Sequence, residues 1–443
     1  MGRLIISGAS SRSGKTTITC GLLASLRHRG LKVSAYKTGP DYIDTEYLRM
    51  AGKCQAYNLD TWLMSEEATL KLFTETSRGK DTTIIEGAMG LYDGGINSTA
   101  SIARLVGAPV VLVVNAGSMG ESAAAVALGF REYCRDINIA GVILNFTGSE
   151  YHVKIIAEAL EDKGIKFLGA LRRDDGLKIP ERHLGLLQAG ENRSFDVERL
   201  AAKFEECINV EELLRISGAS GELRPCSDDL LLSRKYNARV AVARDEAFTF
   251  YYPESLDTLR LMGAEVEYFS PLNDASLPQA DGYIFGGGYP EVFASELAGN
   301  ATMLQSVRAC TRPILAECGG MMYLCRGIED VHGNAHNMAG VLPFRSFMTG
   351  RAVMGYMTGR ALRDNLICRK GETVRGHEFH YSRVEPEYLE DTCAFELTRR
   401  NTGASHYGGY AGGNILASYL HVNFWGNTEI AENFMNILTS SRL

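Results

Sequence analysis

What is missing from this 443-residue sequence narrows it first. No apolar run approaches the roughly 20 residues that a membrane-spanning helix needs. Residues 109–114, PVVLVV, are only strand-length, so no membrane partner is expected. Lys and Arg (46) are outnumbered by Asp and Glu (53), and no basic run is long enough to follow a phosphate backbone. Nucleic acid is therefore not an expected partner. The ten cysteines contain no CxxC pair, which in a chain of this length reads as reduced, mostly buried thiols rather than a disulfide frame. His377-Glu378-Phe379-His380 lacks both the HExxH spacing and a third ligand, so no structural zinc is expected. A fixed-period repeat is absent, which excludes solenoids and propellers. No charged n-region, apolar h-region and cleavage site occur in succession at the start, which predicts a cytoplasmic chain.

What is present is an ordinary globular composition, 45% hydrophobic and 22% charged, on a chain about twice as long as one core requires. Short apolar runs alternate with amphipathic segments, the pattern of a mostly parallel sheet covered by helices. Strands are predicted at 4–6, 33–36, 83–85, 110–114 and 141–144, and helices at 15–29, 66–76 and 122–134. Over 216–233 the periodicity fades into small and breaker residues, as in a linker. Alternation resumes with strands predicted at 240–243, 266–269, 282–285 and 314–316. The fold class is α/β, with two tandem α/β domains at 1–225 and 235–443, the first a doubly wound, mostly parallel sheet.

Gly8-Ala9-Ser10-Ser11-Arg12-Ser13-Gly14-Lys15-Thr16-Thr17 follows the first strand and opens a helix. Amides of such a loop and helix start, here from Gly8, Ser13, Gly14 and Thr17, converge on phosphate oxygens; Lys15 adds a positive charge and the Thr16 hydroxyl can ligate Mg²⁺. Strict GxxxxGK(S/T) spacing would put the first glycine at Ala9, so this P-loop is shifted by one residue. At the next strand end, Lys37 can face a triphosphate, while Asp41, Tyr42 and Asp44 can meet a metal or a reacting carboxylate; a solvated turn is the plainer alternative. Glu86 and Asp93 flank the glycine-rich segment after the strand at 83–85. Thr16, Glu86 and an aspartate, Asp41, would suit Mg²⁺ beside phosphate oxygens of ATP. Asn145 can read a base edge or cap a loop.

In the second half, Pro313-Ile314-Leu315-Ala316-Glu317-Cys318-Gly319-Gly320 reads as a strand, a tight turn and a helix start. That context exposes Cys318 and favours its thiolate as a nucleophile. Amides of Gly287 or Gly288, with that of Gly319, can form an oxyanion site. His421, ending an apolar strand, is the candidate base.

These runs carry a resemblance. The shifted loop is similar to dethiobiotin synthetase and partition-type ATPases, and the cysteine elbow resembles class I glutamine amidotransferases, whose sheet is flavodoxin-like. YKTGPDYID (36–44), NLDTWLM (58–64), EGAMGLYDG (86–94), PERHLGL (180–186) and LPFR (342–345) resemble, in order, cobyrinic acid a,c-diamide synthases. The resemblance implies ATP and Mg²⁺ as cofactors, glutamine and a polycarboxylate tetrapyrrole as small-molecule partners, and leaves room for a homodimer. It implies a carboxylate activated by ATP and attacked by ammonia, giving the a,c-diamide of cobyrinate. Nickel-sirohydrochlorin and hydrogenobyrinate are rival substrates, and a partition-like ATPase switch or a plain glutaminase is a rival class. Many class I amidotransferases have a glutamate two residues past the histidine; this chain has Asn423, so the third member of the Cys–His set stays unassigned. The run 376–382, GHEFHYS, resembles another family segment and is expected to shape a domain interface or the substrate pocket.

Overall fold

The computed structural model describes the chain except residues 1, 175, 177–178, 180, 183–184, 187–194, 227–234, 389–391 and 441–443. Part of the linker expected at 216–233, and Pro180, His183 and Leu184 of the PERHLGL run, lie outside the described residues. The chain divides into two compact units, Met1–Asp228 and Asp229–Leu443.

The first unit holds a seven-stranded parallel sheet. Its strands are β1 (Gly2–Gly8), β2 (Val33–Thr38), β3 (Ala56–Leu59), β4 (Thr82–Gly90), β5 (Val110–Asn115), β6 (Ile139–Thr147) and β7 (Phe167–Arg172). They lie in the order β3-β2-β4-β1-β5-β6-β7. Leu4, Ile5 and Ile6 are wholly buried because helices cover both faces of such a sheet, which is why its strands read as continuous apolar runs. Strand order reverses beside β1, so the crevice past its C-terminal end is where an open α/β sheet takes a ligand. There α1 (Lys15–His28) begins, from Gly14 in the left-handed region with φ 85°. On the far side of the sheet centre, α2 (Tyr42–Gly52) starts after β2.

The second unit is also built on one large sheet. Ala264–Phe269, Ala238–Ala243, Gly282–Phe285, Ile314–Glu317 and Ile415–Ser418 run parallel in that spatial order. The sheet then continues antiparallel through Ser405–Gly412, Cys393–Arg399, Arg345–Ala361 and Thr373–Glu385. The sequence pattern predicted the parallel half only. His421 and Val422 pair with His377 and Gly376 of Thr373–Glu385, folding the antiparallel half back against the parallel strand ends. Among the described residues no helix is long and apolar enough to cross a membrane.

The helix Gly319–Leu324 packs almost onto the strand Gly282–Phe285: a Cβ on Gly320 would lie 2.1 Å from the Phe285 carbonyl oxygen, a backbone atom with little freedom to yield. Gly320→Ala is expected to cost roughly 1–3 kcal/mol, as overpacked cores do, and to lower the melting temperature by calorimetry.

Candidate active sites

In the first unit the phosphate loop is held from beneath. Asn145, at the end of β6, donates from Nδ2 to the Ser13 carbonyl (3.0 Å), and its Oδ1 accepts from the Phe146 amide (2.9 Å). Asn145 thus braces the loop from both polar ends, with a second amide hydrogen and a second oxygen lone pair left over. A Cβ on Gly14 would come within 2.0 Å of that Nδ2, and one on Gly8 within 2.3 Å of Ser13 Oγ. These glycines let the loop curl tightly enough for Lys15 Nζ to reach the Ser10 carbonyl at 3.2 Å. Burial, and then the neighbouring Lys37, bring the Lys15 ammonium down to about 8.

Beside the loop lies a charge cluster drawn from β2, β4 and the first turns of α1 and α2. Lys37 Nζ donates to Asp44 Oδ2 (2.5 Å) and Glu86 Oε1 (2.8 Å), and Thr16 Oγ1 donates to the same Glu86 oxygen (2.8 Å). Glu86 is fully buried. Burial lifts its carboxyl to about 7, against the opposing pull of Lys37. Burial alone would neutralise Lys37, but Asp44 and Glu86 outweigh it and hold the ammonium charged. Glu86 Oε2 is buried without a hydrogen-bond partner. With the Thr16 hydroxyl it forms the hard oxygen set that Mg²⁺ favours.

Asp41, a candidate metal ligand, caps α2 with one of its oxygens: Oδ1 accepts from the amides of Ile43 (2.9 Å) and Asp44 (3.0 Å). Asp44 is the acid that joins the cluster. Burial and the adjacent Asp44 raise Asp41 to about 6. Tyr42 is buried in the first turn of α2, and Thr17 is half-buried in α1. Asp93 accepts from the Gly90 amide (2.9 Å), closing the glycine-rich turn.

In the second unit Cys318 stands between the strand Ile314–Glu317 and the helix Gly319–Leu324, with φ 48° and ψ −104°. For a residue with a side chain this is strained backbone, of a kind that clusters at functional sites. The turn is pinned on both sides: the Cys318 amide donates to Ser418 O (2.7 Å) and the Gly320 amide to Gly286 O (2.9 Å). A Cβ on Gly319 would lie 3.0 Å from the Gly288 amide nitrogen, so the two expected oxyanion donors are neighbours. Gly287 passes the imidazole so closely that a Cβ there would meet His421 Cε1 at 2.8 Å.

His421 is buried and hydrogen-bonded to Cys318. Its Nδ1 lies 3.3 Å from Glu317 Oε2. Burial disfavours a charged ring, yet the bonds to Cys318 and Glu317 prevail and raise the imidazole to about 10. Asn423, in the position where a glutamate was sought, turns away: Nδ2 donates to Glu254 Oε1 (2.9 Å) and Oδ1 accepts from Gly426 N (2.9 Å). Sequence reasoning missed Glu317, whose one signal was its place directly before Cys318. The run 376–382 lies against Cys318 and His421. Phe379 O lies 3.9 Å from Cys318 Sγ, and His380 stacks on Tyr419 at 3.7 Å between ring centroids.

An amide ligase that draws its nitrogen from glutamine and its driving force from ATP is the class these units define. Residues 4–187 match the family model described as the CobQ/CobB/MinD/ParA nucleotide binding domain, and residues 239–429 the CobB/CobQ-like glutamine amidotransferase domain. The chain is 40% identical to the cobyrinate a,c-diamide synthase of Caldanaerobacter subterraneus, over 98% of each chain. It is 42% identical to that of Dehalococcoides mccartyi, again over 98% of each. For the Listeria monocytogenes enzyme of the same name the figure is 40%, over 97% of this chain and 98% of the other. The chain belongs to the cobyrinate a,c-diamide synthase family.

Two substitutions test the site geometry. Asn145→Ala removes the bond to the Ser13 carbonyl, a net loss of about 1 kcal/mol, and should weaken ATP binding roughly fivefold by calorimetric titration. Gly319→Ala puts a methyl group beside the Gly288 amide, and glutamine hydrolysis should fall by roughly 100-fold with the circular dichroism spectrum unchanged.

Proposed function

We propose that the chain converts the a and c acetate carboxylates of cobyrinic acid into primary amides, using ATP for activation and glutamine as the nitrogen source. The observation that carries this reading is the match over 98% of the chain to enzymes named for that product. The two clusters of reactive groups described above fit the two half-reactions.

In the glutaminase half, the Cys318 thiolate attacks the side-chain carbonyl carbon of glutamine. The Gly288 and Gly319 amides receive the negative charge that builds on its oxygen. The His421 imidazolium gives its proton to the departing nitrogen, so ammonia leaves and a glutamyl thioester remains. Water, losing its proton to His421, then opens the thioester to glutamate.

In the synthetase half, an ionised carboxylate resists attack by ammonia, so its oxygen must become part of a leaving group. A substrate acetate oxygen attacks the γ-phosphorus of ATP, ADP departs, and an acyl phosphate results. Lys15 and Lys37 balance the negative charge that accumulates between the β and γ phosphates. The Thr16 hydroxyl and Glu86 would hold Mg²⁺, which supplies further neutralisation of phosphate charge when bound. Asp44 keeps Lys37 charged and in place. Ammonia then adds to the acyl carbon, and phosphate leaves to give the amide.

The test is mass spectrometry of the tetrapyrrole after incubation with ATP, Mg²⁺ and glutamine. Cobyrinic acid should lose the mass difference between OH and NH₂ twice. Conversion of nickel-sirohydrochlorin or hydrogenobyrinate in its place would overturn the substrate. Cys318→Ala should abolish the glutamine-dependent reaction but keep the reaction driven by free ammonia, whereas Lys15→Ala should lose both.

A further inference from the structure

We infer that Glu317 is the carboxylate that positions His421, in the role that a glutamate two residues beyond the histidine would otherwise fill. This rests on the assignment of Cys318 and His421 as the glutaminase pair.

Both oxygens of Glu317 are committed to the histidine segment. Oε2 faces the ring nitrogen Nδ1 at 3.3 Å, and Oε1 accepts from the Val422 amide at 3.1 Å. The side chain is 14% exposed and the imidazole 1%, so water screens the pair little. The placement follows from the sheet. Glu317 is in register with Ser418 on the adjacent parallel strand, so its side chain meets the chain just where it runs on to His421. With Nδ1–H turned to Glu317, Nε2 is the nitrogen left for the Cys318 sulfur. An orienting carboxylate fixes that tautomer and supports the imidazolium that forms when the thiol ionises.

The other groups around the ring do not supply this. Asn423 has its amide engaged by Glu254 and Gly426. His377, paired with His421 across the strands, is driven down to about 3 by burial and then by the two nearby histidines, so it stays neutral. His380 is likewise lowered by burial. Tyr251 is held protonated by burial, and its hydroxyl accepts from Gly286 N. Among the described residues, Glu317 is the carboxylate hydrogen-bonded to the ring.

A merely structural Glu317 would serve through the Val422 amide alone. Glu317→Gln separates the two roles, because a glutamine keeps a carbonyl oxygen for Val422 and removes only the charge facing Nδ1. The full-length chain is assayed for glutamate release from glutamine across pH, beside Cys318→Ala, and for amidation with free ammonia. Glu317→Gln should lower kcat by about 100-fold or more, short of the roughly 10⁴-fold seen where a buried triad aspartate is neutralised. KM for glutamine should stay within about threefold. Glu317 raises the imidazole pKa, so its loss makes the imidazolium deprotonate at lower pH. The alkaline limb of kcat/KM should therefore move down by about one pH unit or more. Glu317→Asp should recover part of the rate and move the limb back, and ammonia-driven amidation should persist in both variants.

An undiminished kcat, or a slower enzyme with an unmoved alkaline limb, overturns the role of Glu317. Absence of glutaminase activity in the wild type, or its survival in Cys318→Ala, overturns the underlying pair instead.

Discussion

A parallel strand covered on both faces delivers its last residues into a crevice largely cut off from water. Charged groups placed there must satisfy one another. Both clusters obey that constraint. Lys37 ends β2 with almost no solvent contact and is tolerated because Asp44 and Glu86 meet its ammonium. Thr16 then shares a Glu86 oxygen with it. In the second unit a buried imidazole is kept in its charged form by the groups at the end of the neighbouring strand. The chemistry each site can carry therefore follows from how its buried charges pair.

Much of the first unit was legible because buried parallel strands are uninterrupted apolar runs. Val110–Asn115 is nearly uniform in Val and Leu, and its expected and observed bounds differ by one residue. β3 escaped because Ala56–Leu59 is four residues long and contains Asn58, which donates to the Gly39 carbonyl. β7 escaped because it lies at the sheet edge with only two of its six residues buried. The antiparallel strands of the second unit were illegible for a related reason. Arg345–Ala361 is largely half-exposed and is broken by Gly350, Gly355 and Gly359, so neither an apolar run nor clean alternation marks it.

For the sites, residue type and local context singled out Lys15, Lys37, Glu86, Cys318 and His421 and put Thr16 with Glu86, but did not show that Lys37 pairs with Asp44 and Glu86 or that Glu317 faces His421. Asp41 and Asp44 are three residues apart and look alike in sequence. Only the helix start decides that one carboxylate caps backbone amides while the other pairs with Lys37. Asn145 comes to the loop from 132 positions away. Glu317 and His421 are 104 positions apart and meet because the strand in register with Glu317 ends at Ser418, three residues before His421. Pairings of this kind depend on sheet order, which short-range pattern does not encode.

The backbone at Cys318 has a wider consequence. Its dihedral angles lie in a region where glycine is comfortable and any side chain is not. At this position the side chain of the proposed nucleophile is a conformational burden on the fold, carried by the hydrogen bonds that pin the turn. Random drift from Cys318 to glycine would relax the chain and, on the proposed mechanism, silence it. Selection for stability and selection for reactivity therefore pull in opposite directions at one residue, and a descendant with an intact and even sturdier second unit could be an inert one.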